Sequence, residues 1–348
     1  MKKFLSLILS LLMILTLSVP SFAAGAKTTT DRISEIENNV NFFLDNIGIS
    51  KEISNHSPLY NLGNELEAYL FSLSNGGYVV ASYKDGHIIE FSPDSLPITV
   101  SKPINTLYYG GPFNFYVRNG NQFLDIVTGE SIHTTSNYYS VDYTSSIDVF
   151  EPNVTVSRVT PRLTPLLASP SNYVSATTAN GWFCTITGIT NLLQYYSDNY
   201  SADVYSGNIS SISGLRTALN SNGYIYNGPL KLSDAAASHT KAGNTYLGLR
   251  SYLNRTDVTN YSVTVSSLTV SRVKAQIGTY SRPVLLHIYT SSIDSSASTS
   301  STHIVLCYGY WETSMTTYYI VNNGWGSNSV YVCADDVPTS FEMMYLRQ

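Results

Sequence analysis

The sequence predicts an α+β protein in which helices precede an antiparallel sheet, with a smaller α+β unit in front of both. Apolar residues at helical spacing near 33–44 and 182–196 indicate the helices, and short apolar runs between Gly-containing turns indicate the strands. Only 12% of the 348 residues are charged and 43% are hydrophobic, which excludes a disordered chain or a coiled coil. A chain of this length is expected to contain about two domains.

The first residues have the pattern of a secretory signal peptide. Lys2 and Lys3 precede a mostly apolar run over 4–19, and small residues follow within 21–24. The alternative is a membrane anchor, but the run is near the short limit for crossing a bilayer. We therefore predict that residues 1–23 are a signal peptide, that the mature chain is secreted, and that no membrane segment remains after its removal.

Residues 24–159 are predicted to form the small α+β unit. Helical spacing extends from Asp31, the predicted cap, to Asn46. Apolar runs separated by turns then predict hairpin strands at 66–73, 78–82, 87–92, 106–109 and 113–117. Four prolines between 149 and 173, with little periodicity, predict a linker, although an ordered extended segment has the same composition.

Residues 160–348 are predicted to begin with helices and to end in strands. Seven apolar residues between Trp182 and Tyr196 cover one broad face of a helix that ends near Asp198. Further helices are expected at 213–219, 244–253 and 270–277, followed by strands at 283–289, 303–310, 318–321 and 329–333.

Charge and cysteine content exclude several classes of function. The net charge of -5 offers no positive field for a phosphate backbone, so nucleic-acid binding is not expected. The charge is uneven, with a net of -8 over 24–159 and +1 over 160–348, which would suit docking of one part on the other. Three cysteines and the absence of C-x-x-C or H-x-x-x-H spacing predict neither a disulfide scaffold nor a metal site, and no cofactor is expected.

Cys184 lies at the start of the predicted buried helix. The positive end of a helix and a neighbouring imidazolium both favour the nucleophilic thiolate. A small cysteine in the apolar core would give the same local pattern, so Cys184 alone does not distinguish a nucleophile from a core residue.

Two motifs near the end of the chain add to Cys184. Residues 303–310 read HIVLCYGY and residues 318–326 read YYIVNNGWG. These H-x-V-x-x-x-G-Y and Y-x-I-x-x-N-x-W-G patterns, downstream of a helix-starting Cys, resemble the papain-like cysteine peptidases. Over about 175–335 the chain is most similar to the streptopain type and to related bacterial papain-like domains of the bacteriocin-processing kind. The two predicted strands within 77–92 resemble those of a streptopain-type propeptide.

The resemblance implies a papain-like fold whose N-terminal helical part carries the Cys and whose C-terminal antiparallel sheet carries His and Asn. It implies Cys184 as nucleophile, His303 as general base and acid, and Asn323 as the residue that orients the imidazole, with Trp325 packed over it. It also implies a zymogen that cleaves proteins or peptides, with residues 24–159 as a prodomain that inhibits its own peptidase.

Two features depart from the animal and plant branch of the family. Cys184 and His303 are only 119 residues apart, and the C-G-x-C-W signature is absent. The family usually supplies an oxyanion donor from a Gln shortly before the Cys, and this chain has none there. Asn180 could donate instead, together with the backbone N–H of Cys184, although Asn180-Gly181 is also a good turn.

Several alternatives stay open at the level of sequence. His287 is a competing base, and Cys307 and Cys333 could pair in an oxidising compartment. The Ser/Thr-rich run over 289–302 is either a surface loop or a rim of the active site. A cell-wall peptidase or amidase, a transglutaminase-like enzyme that would need Asp in place of Asn, and an inactive binding protein of the same fold are the competing functions.

Overall fold

A computed structural model describes residues 29–94, 106–126, 131–133, 167, 184–200, 211–221, 249–250, 252–253, 261–289, 302–313, 316–324, 329–337 and 342–347. These residues form an α+β structure with a large, mostly antiparallel sheet. The predicted signal peptide lies outside them, as do Asn180, Trp182 and Trp325. Of the predicted linker only Leu167 is described, and its N–H donates to the carbonyl of Tyr308 at 3.2 Å. Of the Ser/Thr-rich run only the two ends, Tyr289 and Thr302, are described, and of the helix predicted at 244–253 residues 249–250 and 252–253 are described and helical. The predicted domain boundaries also fall outside them and stay predictions.

The N-terminal part is one helix followed by strands. Helix α1 spans Thr29–Asn46, so the predicted opening helix is present, but Asp31 lies inside its first turn and the prediction of a cap was wrong. The strands are β1 Ile53–Tyr60, β2 Leu66–Leu73, β3 Tyr78–Ser82, β4 Ile88–Ser92, β5 Leu107–Tyr109, β6 Phe115–Asn119, β7 Gln122–Asp125 and β8 Ser131–His133. Ile36, Val40 and Leu44 recur at helical spacing and are buried against β2 and β3.

The C-terminal part begins with helices and ends in strands. Its helices include α2 Cys184–Tyr200, α3 Ile212–Ser221 and α4 Val270–Lys274, the last of which continues as a π-helical turn over Ala275–Thr279. The strands are β9 Ser262–Ser267, β10 Val284–Tyr289, β11 Thr302–Glu312, β12 Thr317–Asn322, β13 Val330–Cys333 and β14 Glu342–Arg347, with a 3₁₀ turn at Ala334–Asp336. Thr269 caps α4 by accepting the Arg272 N–H at 3.3 Å.

The strands of both parts share one sheet. Its order is β8-β7-β6-β5-β1-β2-β3-β4-β13-β12-β11-β10-β14-β9, and β1 with β5 is its parallel pair. Strand β4 pairs with β13, where Phe91 lies opposite Tyr331 and the two rings stack with centroids 4.4 Å apart. The edge of β13 thus accepts β4 as a neighbour, and the strands of the N-terminal part continue the sheet of the C-terminal part.

The C-terminal half of the sheet has two buried faces. Alternation along β11 places Ile304 and Leu306 in a core with α2, and Val305 and Cys307 in the core on the opposite face. Gly188 lets α2 approach closely, because a Cβ at this position would lie 3.0 Å from Cγ2 of Ile304.

Replacing Gly188 by Ala is expected to lower the stability of the protein. The added methyl group would overpack the contact between α2 and β11, which costs about 1–3 kcal/mol and outweighs the better helix propensity of Ala. Thermal unfolding measures the loss, with the exposed Ser213→Ala on α3 as control. An unchanged melting temperature for Gly188→Ala would show that Ile304 can move aside freely.

Candidate active site

Contacts of α2 fix its direction along the sheet. Asn191 donates through Nδ2 to Oδ1 of Asn322 at 3.1 Å, near the end of β12. One helical turn earlier, Cγ2 of Thr187 lies 3.4 Å from the position of a Cβ on Gly324, which follows that strand. The N-terminal end of α2 therefore extends beyond the C-terminal end of β12.

The three predicted catalytic residues lie near this C-terminal end of β12. Cys184 is the first residue of α2, one turn before the contact with Gly324. His303 is the second residue of β11, and Asn323 directly follows β12. Because β11 and β12 are antiparallel, the start of one lies beside the end of the other. The side chain of Cys184 is outside the described part of the chain, so its place is given by the backbone of α2 alone.

His303 has a defined hydrogen bond within this group. Its ring is 3% exposed, and Nε2 lies 2.8 Å from the main-chain oxygen of Asn323. A carbonyl oxygen can only accept, so Nε2 carries the proton, and a neutral ring then has its lone pair on Nδ1. Burial lowers the pKa of His303 to about 4, against the opposing effect of the Asn323 carbonyl, so the ring is a neutral base at pH 7.

Asn323 is placed beside His303 but meets it through the main chain. Asn323 is 9% exposed, and its backbone carbonyl accepts the hydrogen bond from Nε2 of His303. The orienting role that the family resemblance gives to the side-chain amide stays a prediction.

A loop of the N-terminal part covers His303. The ring of Phe113, between β5 and β6, has its centroid 5.7 Å from that of His303 and is 3% exposed. Phe113 has a φ of 72°, a left-handed conformation that costs a bulky residue of the order of 1–3 kcal/mol. Sequence reasoning missed this contact, because the preceding Gly110-Gly111-Pro112 was interpreted only as a hairpin turn.

Glu90 of β4 holds the backbone of this loop. Its Oε2 accepts the N–H of Phe113 at 3.0 Å, whereas Oε1 has no hydrogen-bond partner among the described residues. Burial raises the pKa of Glu90 to about 8; the N–H of Phe113 opposes the rise, and the negative charge of Asp336 adds to it. The carboxyl group is therefore mostly protonated at neutral pH.

A partly buried ion cluster links the two parts of the chain near the pairing of β4 with β13. His87 contacts Asp85 through Nδ1 at 2.6 Å and both carboxylate oxygens of Asp336 through Nε2 at 3.1 Å. Burial alone would lower the pKa of His87, but its hydrogen bonds to Asp336 and Asp85 raise the pKa to about 10. A protonated His87 therefore lies between two carboxylates, one from each part of the chain.

The packing of β4 on β13 is expected to weaken at alkaline pH. His87 has a pKa raised from 6.5 to about 10, and Glu90 has a pKa raised from 4.5 to about 8. Each contributes stability that is complete below its ordinary pKa and is lost as the pH rises through its raised pKa, and the loss is of the order of 5 kcal/mol for each group. Melting temperatures of a full-length Cys184→Ala chain from pH 6 to 10 test this, and adding His87→Gln should flatten the decline. An equal slope in both proteins would contradict the assignment to His87.

The other candidates differ from His303 and Cys184 in their surroundings. His287 is 1% exposed and pairs with Ile304, so it lies on the face of the sheet that α2 covers, whereas His303 pairs with Ile288 on the other face, where Phe113 contacts it. Cys307 and Cys333 are both free and buried, and the possible disulfide is not formed. Burial raises the pKa of Cys307 to about 12 and also raises that of Cys333, which makes neither thiol a nucleophile.

The described residues lack both a metal-binding cluster and a membrane-spanning helix. No group of three or more His, Cys, Asp or Glu side chains in this part of the chain could hold a metal ion. Its helices include none with the length and hydrophobicity needed to cross a bilayer.

Comparison with known proteins gives a distant structural similarity. No protein-family model matches the sequence, and no curated protein matches it. A crystal structure from Bacillus anthracis, described as that of a candidate C39-like peptidase, is 11% identical and covers 53% of this chain and 98% of its own. The TM-score of 0.35 is too low for this similarity to assign a fold or an activity.

Proposed function

We propose that the chain is a secreted cysteine endopeptidase of papain-like fold, made as a zymogen, that hydrolyses peptide bonds with Cys184, His303 and Asn323. The observation that carries this proposal is the position of His303 at the sheet end shared with Cys184 and Asn323. There its Nε2–H is held by Asn323, and its lone pair is left on Nδ1.

The chemistry that follows is an acyl transfer in two steps. Nδ1 of His303 takes the proton of the Cys184 thiol, and the thiolate attacks the carbonyl carbon of the substrate. The imidazolium gives the proton to the leaving amine, and the C–N bond breaks to leave a thioester on Cys184. Water, deprotonated by His303, attacks the thioester and releases the acid, which returns the thiol to its starting state. The backbone N–H of Cys184, with Asn180 as the second donor, would stabilise the oxyanion.

The zymogen part of the proposal is supported by Phe113. Its ring covers the base that would have to meet substrate, and the loop that carries it belongs to the segment preceding the peptidase. The proline-containing segment over 149–173 is the expected place of cleavage, and residues 24–159 act as an intramolecular inhibitor until then.

Labelling with a thiol-directed peptidyl electrophile tests the nucleophile and its base. Mass spectrometry of the secreted protein should find the label on Cys184, lost in Cys184→Ala and strongly reduced in His303→Ala, with His287→Ala as the matched control. Equal labelling of Cys307 and Cys333, at the rate of an ordinary thiol, would favour an inactive binding protein. Labelling without casein cleavage, but with cleavage of cell-wall peptides, would favour the cell-wall enzyme.

A further inference from the structure

A buried pair of amides connects α2 to the end of β12. Asn322 and Asn191 are each 1% exposed, and Asn191 lies two helical turns after Cys184. Oδ1 of Asn322 accepts both the Nδ2–H of Asn191 at 3.1 Å and the backbone N–H of Gly324 at 3.0 Å. One oxygen atom therefore contacts the helix that begins with Cys184 and the turn that follows the strand.

That turn sets the direction of the carbonyl that holds His303. Gly324 has a φ of 75°, in the left-handed region, and directly follows Asn323. The bond from Gly324 to Asn322 closes the turn around Asn323, whose main-chain oxygen accepts the Nε2–H of His303 at 2.8 Å. The orientation of the imidazole therefore depends on the turn that Asn322 closes.

We propose that Asn322, with Asn191, is a positioning pair that holds the Cys184 helix in register with the His303 imidazole. This inference rests on the proposed function. Neither residue would touch substrate. Asn191 would act through the position of α2, and Asn322 would act through the turn at Gly324, which orients the Asn323 carbonyl and with it the imidazole of His303.

The two buried amides are better explained by a role in fixing the position of α2 on the sheet than by a contribution to the free energy of folding. The surrounding core consists of apolar side chains such as Leu192, Ile304 and Leu306, and further apolar groups would fill the space without loss of hydration. Apolar contacts are not directional and would let α2 slide along the sheet. A hydrogen bond between fully buried partners fixes one position, and a displacement of about 1 Å between nucleophile and base can cost about 100-fold in rate.

The test compares Asn322→Leu, Asn191→Leu and Asn322→Asp, each produced as the full-length secreted protein and assayed after cleavage within 149–173. The Leu variants are expected to lower kcat for a peptide substrate about 10- to 100-fold with KM nearly unchanged, and to move the acidic limb of the pH profile of kcat/KM. Asp keeps the oxygen that accepts both N–H groups, so Asn322→Asp should recover most of kcat. If Asn322→Leu does not fold, Asn191→Leu carries the test, because it leaves the bond to Gly324 intact.

Thr190→Val is the matched control. Thr190 is buried beside Asn191 on the same helix, but its hydroxyl donates to the carbonyl of Ile186 within α2. The variant should lower the melting temperature without changing kcat or the pH profile. If the Leu variants behave as Thr190→Val does, the positioning role is overturned and the proposed peptidase stands. If wild-type Cys184 reacts as an ordinary thiol and cleaves nothing, the proposed function itself fails.

Discussion

Replacing His303 by Gln is expected to lower kcat/KM for a peptide substrate by at least about 100-fold and by up to about 10⁴-fold. Gln keeps much of the size of the ring and can donate to the Asn323 carbonyl, but it cannot take a proton from the thiol. The loss should lie in kcat, because the ring acts on the reacting atoms and binds little of the substrate. Steady-state kinetics together with the melting temperature measure the effect apart from any loss of folded protein.

His287→Gln is the matched control for this prediction. His287 is as buried as His303 and lies on the neighbouring strand β10, but its side chain shares the opposite face of the sheet. Its replacement should lower stability and leave kcat within a few-fold of the wild type. If His287→Gln abolished turnover while His303→Gln kept it, the motif over 303–310 would have identified the wrong base.

Elements with a clear local period could be predicted from the sequence. Helix α1 has apolar residues spaced about 3.6 residues apart, and strands β2 and β3 are apolar runs separated by a Gly-containing turn. All three lie where these patterns predict them. Strand β14 was missed because Met343 and Met344 are both buried, so the strand shows no alternation. Strand β1 was missed for the opposite reason, since most of its residues are partly exposed or exposed and it contains a proline.

The residues of the candidate site likewise include some that the sequence predicts and others that it does not. His303 and Asn323 belong to short sequence motifs, and Cys184 was selected because it starts a predicted helix upstream of those two motifs. The contact of Phe113 with His303 joins residues 190 positions apart, and that of His87 with Asp336 joins residues 249 apart. No local sequence pattern predicts such contacts, because they form only when β4 pairs with β13. Sequence reasoning therefore reached the residues of the proposed chemistry but not those that cover it.

Replacing Phe113 by Ala is expected to open the site in the uncleaved chain. The change removes the ring that covers His303, and about 2–3 kcal/mol of apolar burial is lost with it. A shift of that size raises the open fraction about 30- to 150-fold, and the rate at which the peptidyl electrophile labels Cys184 should rise by the same factor. Glu90→Leu should act in the same direction, because it removes the oxygen that accepts the Phe113 N–H.

The control for this release is another buried phenylalanine of the same N-terminal part. Phe123 of β7 is 4% exposed and packs against Tyr108, in a cluster that does not include His303. Phe123→Ala should lower the melting temperature without speeding the labelling of Cys184 at temperatures well below unfolding. Equal acceleration by Phe113→Ala and Phe123→Ala would mean that any loss of stability in the N-terminal part opens the site. Inhibition would then come from the pairing of β4 with β13, and Phe113 would be one of its packing residues.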